Sequence, residues 1–250
     1  MSEVILETCG LSKAFKGFLA VAEVDLKIRK GSIHALIGPN GSGKTTIFNL
    51  VTKFLEPTNG QIFFKGEDIT AAKPARVARM GMVRSFQISA IFPHLSVMEN
   101  VRISLQRKLS NSFYFWQSEH SLHALDQRAM ELLSAVALAE DKDTLAVELP
   151  YGRKRALEIA TTLAMDPELL LLDEPTSGMG REDVDRTTDL IRRVSADRTT
   201  LLIEHNLSVV AKLAEVITVL SHGVILAEGD YSTVSEHPGV KEAYLGTSHG

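Results

Sequence analysis

Hydrophobic and polar positions change period several times along this chain, and each change marks an element. Residues 3–9 and 24–29 alternate, with Val24, Leu26 and Ile28 set against Asp25, Lys27 and Arg29; a period of two with one wet face predicts antiparallel strands. Asn59-Gly60 and Lys65-Gly66 bracket Gln61-Ile62-Phe63-Phe64, a further short edge strand between turn signals. Three runs are apolar almost without interruption: Ile33-His34-Ala35-Leu36-Ile37, Leu169-Leu170-Leu171-Leu172 and Thr199-Thr200-Leu201-Leu202-Ile203. Strands covered on both faces of a parallel sheet have this composition. Helical spacing follows each run, at 46–54, 181–194 and 206–214, so strand and helix alternate as in an α/β core. Between about 89 and 165 the strand signal fades and helical periodicity takes over, at Ala129 to Ala139 and Leu157 to Met165, which predicts a helical subdomain inserted into that core. Two short strands (216–220 and 223–227) and a small helix near Val240–Leu245 close the chain, with no internal repeat or low-complexity tract.

Composition narrows the setting. The 250 residues are 44% hydrophobic and 23% charged, an ordinary globular balance with ample length for a core. Lys and Arg number 27 against 31 Asp and Glu, a net charge of −4, so the broad basic field of a nucleic-acid binder is missing. Cys9 is the single cysteine, which excludes an intramolecular disulfide or cysteine-rich metal site and suits a reducing compartment. Met1-Ser2-Glu3-Val4 offers neither a basic n-region nor a long apolar h-region, so no secretory signal is expected. The most apolar long stretch, Leu201 to Leu220, is broken by Glu204, His205, Lys212 and Glu215 and predicts no membrane span. Any work at a membrane is done from the side.

Between the strand at 33–37 and its helix lies Gly38-Pro39-Asn40-Gly41-Ser42-Gly43-Lys44-Thr45-Thr46, which fits G-x-x-x-x-G-K-[ST]. Strand, glycine-rich turn and helix form the context that turns this pattern into a phosphate site. Gly38, Gly41 and Gly43 let successive N–H groups converge on phosphate oxygens, and the new helix adds its positive end. Lys44 would reach the β- and γ-phosphates, and the Thr45 hydroxyl would ligand Mg²⁺. A glycine-rich turn that merely caps a helix is the bland alternative; the flanking elements, with Lys and Thr both in place, argue against it.

Glu168-Leu169-Leu170-Leu171-Leu172-Asp173-Glu174-Pro175 carries an apolar run into two carboxylates. Acids at the carboxyl end of a buried strand sit where ligands bind in open α/β sheets. Asp173 then suits a place beside Mg²⁺, and Glu174 is free to take a proton from, or orient, an attacking water. Taken alone, the segment equally suits a solvated turn after a core strand. Ile203-Glu204-His205-Asn206 ends another buried strand in a histidine that could bond a γ-phosphate. A lone histidine is more often structural, and this segment leaves both readings open. Gln87, in Val83-Arg84-Ser85-Phe86-Gln87, follows a strand-like stretch where the helical region begins. It could ligand metal or water and couple the nucleotide to the insertion.

In order, Phe15, the Gly38–Thr45 loop, Gln87, the glycine-bearing segment at 149–155, the LLLLDEP run and His205 resemble the ATP-binding subunit of ABC transporters, over essentially the whole chain. The resemblance implies an α/β P-loop NTPase ABC cassette: a mixed parallel core sheet, an antiparallel β subdomain and an inserted α-helical subdomain. It implies one domain over 1–250, with about 1–88 and 166–250 as the core and about 89–165 as the helices. ATP and Mg²⁺ are the expected cofactors. By the same likeness Phe15 stacks on adenine, Gln87 is the Q-loop residue on the metal, Glu174 the catalytic carboxylate and His205 the switch histidine. Phe15 read alone also suits a core aromatic at the end of an edge strand.

The family's signature, LSGGQ, appears as Leu149-Pro150-Tyr151-Gly152-Arg153. In the family it opens a helix onto the γ-phosphate held by the opposite subunit, in a head-to-tail ATPase dimer. Pro150 suits a first helical turn, the serine hydroxyl is lost, and Gly152 is the position that carries over. A hydrogen bond to a charged partner contributes roughly 1.5–3 kcal/mol. The composite site therefore either binds more weakly or is compensated by the Gly152 backbone, the helix dipole or Arg153. The usual arginines of the signature helix fall on Ala156 and Thr161, with Arg155 one place off. Ser177-Gly178-Met179-Gly180 stands where S-A-L-D is common, so Gly180 replaces an aspartate that links the two active sites.

The Leu-x-Tyr-Gly form of the signature, Phe92-Pro93-His94-Leu95-Ser96-Val97-Met98-Glu99-Asn100-Val101, and the ending Val240-Lys241-Glu242-Ala243-Tyr244-Leu245-Gly246 narrow the likeness to ATPases of branched-chain amino-acid and amide importers. That implies transmembrane permease subunits, a second and often different ATPase subunit, a solute-binding protein acting indirectly, no nucleic acid, and a peripheral place on the cytoplasmic face of the inner membrane. The implied cycle closes two subunits on ATP. Thr45, Gln87 and, through water, Asp173 hold Mg²⁺; Lys44 and His205 hold the γ-phosphate; Glu174 activates water; and hydrolysis reopens the dimer. Rival classes fare worse. A GTPase would carry N-K-x-D, which does not occur, and a small-molecule kinase has no use for the 149–155 segment. DNA-repair or translation ATPases of this kind carry paired cassettes or a long coiled-coil insertion, and neither is present. A subunit with weak or regulatory hydrolysis stays open through the signature departures. Phe113-Tyr114-Phe115-Trp116, inside the helical insertion, suits either an exposed anchor for a membrane partner or a loop packed over its own subdomain.

Overall fold

The computed structural model describes residues 3–85, 91–106 and 119–245. The chain opens with β1 (Val4–Phe15), β2 (Phe18–Val24), β3 (Lys27–Arg29) and β4 (Ile33–Ile37), then α1 (Lys44–Val51). β5 (Asn59–Phe64), β6 (Glu67–Asp68), α2 (Pro74–Arg79) and β7 (Met82–Arg84) follow. Next come α3 (Val97–Gln106), α4 (Glu119–Ala135) and α5 (Tyr151–Leu163), with short 3-10 turns at Ala139–Asp141 and Ala146–Glu148. The chain ends with β8 (Leu169–Asp173), α6 (Arg181–Ser195), β9 (Thr199–Ile203), α7 (Leu207–Leu213), β10 (Val216–Ser221), β11 (Val224–Gly229), α8 (Tyr231–Glu236) and α9 (Pro238–Leu245).

A six-stranded sheet runs β11-β10-β4-β9-β8-β7, parallel throughout except for the β10–β11 hairpin. Register pairs Ile203 with Leu36 on one side and Asp173 on the other, so the carboxyl ends of β4, β8 and β9 are level. A second, antiparallel sheet runs β2-β1-β5-β6, with β3 also paired to β1. The fold is therefore α/β, with a mixed core sheet and a separate antiparallel sheet, as the sequence predicted.

The leucine runs fail to alternate because both sheet faces are covered. Leu170, Leu172 and Leu202 join one buried cluster with Val97, Leu133, Leu157 and Ile191, while Leu169, Leu171, Leu201 and Ile203 join another with Ile28, Phe48 and Phe64. Each such side chain contributes roughly 1.5–3 kcal/mol over its exposed state. The sheet wall thus welds the helices on one side to the antiparallel sheet on the other.

Two helices stop earlier than their periodicity predicts. α1 ends at Val51 rather than reaching Phe54, because Lys53 turns left-handed at φ 64°. α4 ends at Ala135 rather than Ala139, with Ala137 at φ 58°. The apolar spacing runs on because Val136 and Leu138 are buried from the turn itself. β1 also extends beyond the alternating stretch to Phe15.

Candidate functional site

Gly38 to Gly43 connect β4 to α1 and are enclosed by backbone. A Cβ on Gly38, at φ 147°, would lie 2.1 Å from the Leu220 carbonyl oxygen, and one on Gly43, at φ 106°, 2.7 Å from that of Ala20. Only glycine fits either place. The loop is thereby cast against β10 and β2. Pro39 is half-buried, Asn40 and Gly41 are exposed, and Ser42 is buried. No side chain caps the first turn of α1, where Thr45 is exposed and Thr46 half-buried. Its amides are the unpaired donors that bind anions at helix starts.

Lys44 is buried and folds back over the loop, with Nζ donating to Gly38 O at 2.7 Å and Pro39 O at 2.9 Å. Burial lowers its pKa, and the charges of Glu174 and Asp173 oppose that shift. The loop and the acid pair, more than a hundred residues apart in sequence, therefore share one electrostatic environment.

Asp173 closes β8. Its Oδ2 accepts from Arg84 Nη2 at 2.5 Å, and Arg84 also donates to Asn49 Oδ1 at 2.6 Å and lies over the Phe48 ring. β7 thus delivers a cation beside Asp173, while α1 orients that cation. Glu174 adopts φ 47°, a conformation costing a non-glycine residue on the order of 1–3 kcal/mol. Its N–H donates to Ile203 O at 2.9 Å, which ties the turn to the end of β9. There His205 Nε2 meets Glu174 Oε1 at 2.6 Å, both side chains being a little over a third exposed. Such a pair at a sheet's carboxyl edge can orient a water and take its proton.

The 149–155 segment starts α5, with Pro150 at its N-cap. Gly152 is half-buried against Asp183, Tyr151 donates its hydroxyl to Ser177 O at 3.1 Å, and Arg153 pairs with Asp141. Arg155, which the sequence reading set aside as misplaced, is buried. Its Nη2 donates to Asp173 O at 2.9 Å and its Nη1 to Glu158 Oε2 at 2.6 Å. The signature helix is therefore bolted to the end of β8. Burial pushes the Glu158 carboxyl up, with the Arg155 guanidinium opposing.

Phe15 ends β1 and is 42% exposed, facing Phe18 across the hairpin and carrying the Lys13 ammonium 5.4 Å from its ring centroid. The core-aromatic alternative for Phe15 is thereby overturned, because Phe15 and its partner Phe18 at the hairpin tip are both exposed. Gln87 and Phe113–Trp116 fall outside the described residues. Sequence reasoning missed the roles of Arg84, Arg155 and Glu204, whose decisive partners at Asp173 and Thr176 are far off in sequence.

Oxygen donors at Thr45 and Asp173 suit a hard cation. Among the described residues no group of three or more His, Cys, Asp or Glu side chains gathers into a metal site. Mg²⁺ needs none, since it takes one or two protein oxygens, waters and substrate phosphates. The residues present fit it.

A family model described as "ABC transporter" matches residues 21–177. The high-affinity branched-chain amino acid transport ATP-binding protein BraF of Pseudomonas aeruginosa is 37% identical, over 98% of this chain and 99% of its own. LivG of Escherichia coli K12, of the same description, is 37% identical with the same coverage. The probable LivG of Archaeoglobus fulgidus is 34% identical over 97% of this chain and 95% of its own. Among solved structures, the ADP conformation of the ATP-binding cassette MJ1267 superposes with a TM-score of 0.85 at 30% identity, covering 98% of this chain and 100% of that one. A nucleotide-free ATP-binding cassette from an ABC transporter gives 0.82 at 29% identity, covering 97% and 99%.

Proposed function

The chain belongs to the ABC transporter family of ATP-binding subunits, and from that premise we propose that it drives uptake of branched-chain amino acids or similar small polar or amide solutes, with Glu174 and His205 at the reacting end of its nucleotide site. It is an ATP-hydrolysing motor subunit of an importer, and it works with ATP and Mg²⁺. The substrate class rests on the full-length likeness to BraF and LivG, named for branched-chain amino acid transport.

The site residues divide the work. Amides of the Gly38–Thr46 loop hold the triphosphate, and Lys44 exchanges its two carbonyl partners for β- and γ-phosphate oxygens. Phe15 offers an exposed ring to adenine. Thr45, Gln87 and, through water, Asp173 would hold Mg²⁺, which would neutralise charge on the phosphate oxygens. Glu174 takes the proton of the attacking water, and His205 orients Glu174 and reaches the γ-phosphate. Gly152 presents the start of α5 to the nucleotide of a second ATPase subunit. The departures at Pro150, Arg153 and Gly180 favour a different chain in that place. Among the described residues no helix is long and apolar enough to cross a membrane, in keeping with a peripheral seat on the cytoplasmic side of permease subunits, with a solute-binding protein acting through them. The helical stretch of about 89–165 would carry the contact with those permeases.

The 2.6 Å contact between Glu174 and His205, at strand ends whose charges reach Lys44, carries the assignment. Glu174→Gln should lower ATP turnover on the order of a hundredfold or more while MgATP binding persists. Turnover near that of the wild type would overturn the assignment. Solute uptake by vesicles holding the chain and its permeases, assayed with leucine, an amide and a sugar, tests the substrate class.

A further inference from the structure

Glu204 is the next-to-last place at which one expects a charge: it follows directly on the buried run of β9 and is itself 2% exposed. Its carboxylate is fully engaged. Oε1 accepts from the Thr176 N–H at 3.0 Å and from the Thr176 hydroxyl. Oε2 accepts from the His205 N–H at 2.9 Å and the Asn206 N–H at 3.1 Å. One carboxylate thus takes two donors from the turn after β8 and two from the turn after β9. Those are the turns that carry Glu174 and His205. Asn206 in turn caps α7 through Ser208 N, so the clamp also fixes where that helix starts.

A buried anion is costly unless fully hydrogen-bonded, and a well-packed apolar side chain often stabilises a fold as well or better. The carboxylate brings what a leucine lacks: a rigid bridge between two loops whose relative position sets a catalytic distance. We propose that Glu204 is a positioning residue for ATP hydrolysis, clamping Thr176 to His205 so that the Glu174–His205 pair is held in register for water. The proposal rests on the reading of Glu174 and His205 given above.

Glu204→Gln is isosteric, but its amide can accept toward only one of the two turns and presents N–H groups to the other. In the full-length chain co-expressed with its permease partners, kcat should fall on the order of 10–100-fold, with KM for ATP within about threefold. Thr176→Val, which removes only the hydroxyl, should lower kcat by about threefold. In a His205→Ala background, Glu204→Gln should add little further loss, since the group it positions is gone. Full kcat in Glu204→Gln alongside an inactive Glu174→Gln overturns the clamp and leaves the site assignment standing. An active Glu174→Gln overturns the site assignment itself. Additive losses from Glu204→Gln and His205→Ala make Glu204 a fold element only and overturn the proposal. If Glu204→Gln fails to fold, Thr176→Val carries the same double-mutant test with the same two readings.

Discussion

The two sides of the proposed nucleotide site are built by different means. The phosphate loop works through backbone and its own side chain: Gly38 and Gly43 let it lie against the Leu220 and Ala20 carbonyls of β10 and β2, where any Cβ would clash, and Lys44 donates to Gly38 and Pro39, six and five residues back. The acid side is held from afar. Asp173 takes its partners from β7 and α5, Glu174 from β9 and the turn after it, and Glu204 ties that turn to Thr176. A loop seated by backbone contacts is most sensitive to a Cβ added within it. A surface assembled from buried long-range contacts fails when a distant support is removed.

The sharpest break of that contrast is at Arg155. Truncating it to Ala leaves Glu158, 1% exposed, as an uncompensated buried carboxylate whose Oε1 already lacks a partner among the described residues. It also strips a donor from Asp173 O. Loss of one member of a buried pair costs on the order of 3–5 kcal/mol, read by denaturant unfolding. Arg155→Met with Glu158→Leu should recover most of that loss, because an apolar pair of similar volume replaces buried charge at little cost. ATP turnover should stay low in the double variant, since α5 no longer donates to the end of β8. A loss under about 1 kcal/mol in the single variant would show that the acid side stands without its buried strut.

On the loop side, Gly38→Ala should destabilise the fold and lower MgATP affinity on the order of a hundredfold, because the new methyl must push the loop off Leu220 O. Nucleotide titration by fluorescence reads it. Affinity within a fewfold of the wild type would mean that the loop adapts, and that the local cradle is less rigid than its contacts indicate.

This asymmetry also explains what the sequence disclosed. The loop, the three buried strands and the two acids closing β8 were legible, because each depends on neighbours in the chain: glycines for the turn, apolar runs for strands buried on both faces. His205 was legible only in the company of the other motifs. Arg84, Arg155 and Glu204 were not, since the partners that tie them to the site are 89, 18 and 28 residues away and meet them only when β7, α5 and the ends of β8 and β9 pack together. Helix ends followed the same division. Pro74 at the first position of α2 and Asp230 accepting from Thr233 N at the start of α8 are local signals that went unread. The ends of α1 and α4 were set by left-handed turns at Lys53 and Ala137, which carry no residue-type signal.

Two histidines of one sheet offer the finest comparison, and the smallest effect. His205 stands at the edge, beside Glu174 and water. His34 lies within β4, 1% exposed, with Nε2 2.7 Å from the Thr218 hydroxyl, which donates to Glu228 at 2.6 Å. Burial holds its pKa down at about 4 against an ordinary 6.5, with Arg29 adding to the shift. Between those values the unfolded chain takes up a proton that the folded chain refuses, so His34 costs stability as pH falls through 6.5 and stops adding to that cost below about 4. From neutral pH to about 5.5 the loss should be about 1 kcal/mol, read as a shift in the urea midpoint. His34→Gln, which cannot titrate, should flatten the curve over that interval while carboxylate titration at lower pH is unchanged. A variant with the wild-type slope would move the pH response to other groups, and would leave the strand beneath the phosphate loop insensitive to acid where we expect it to yield first.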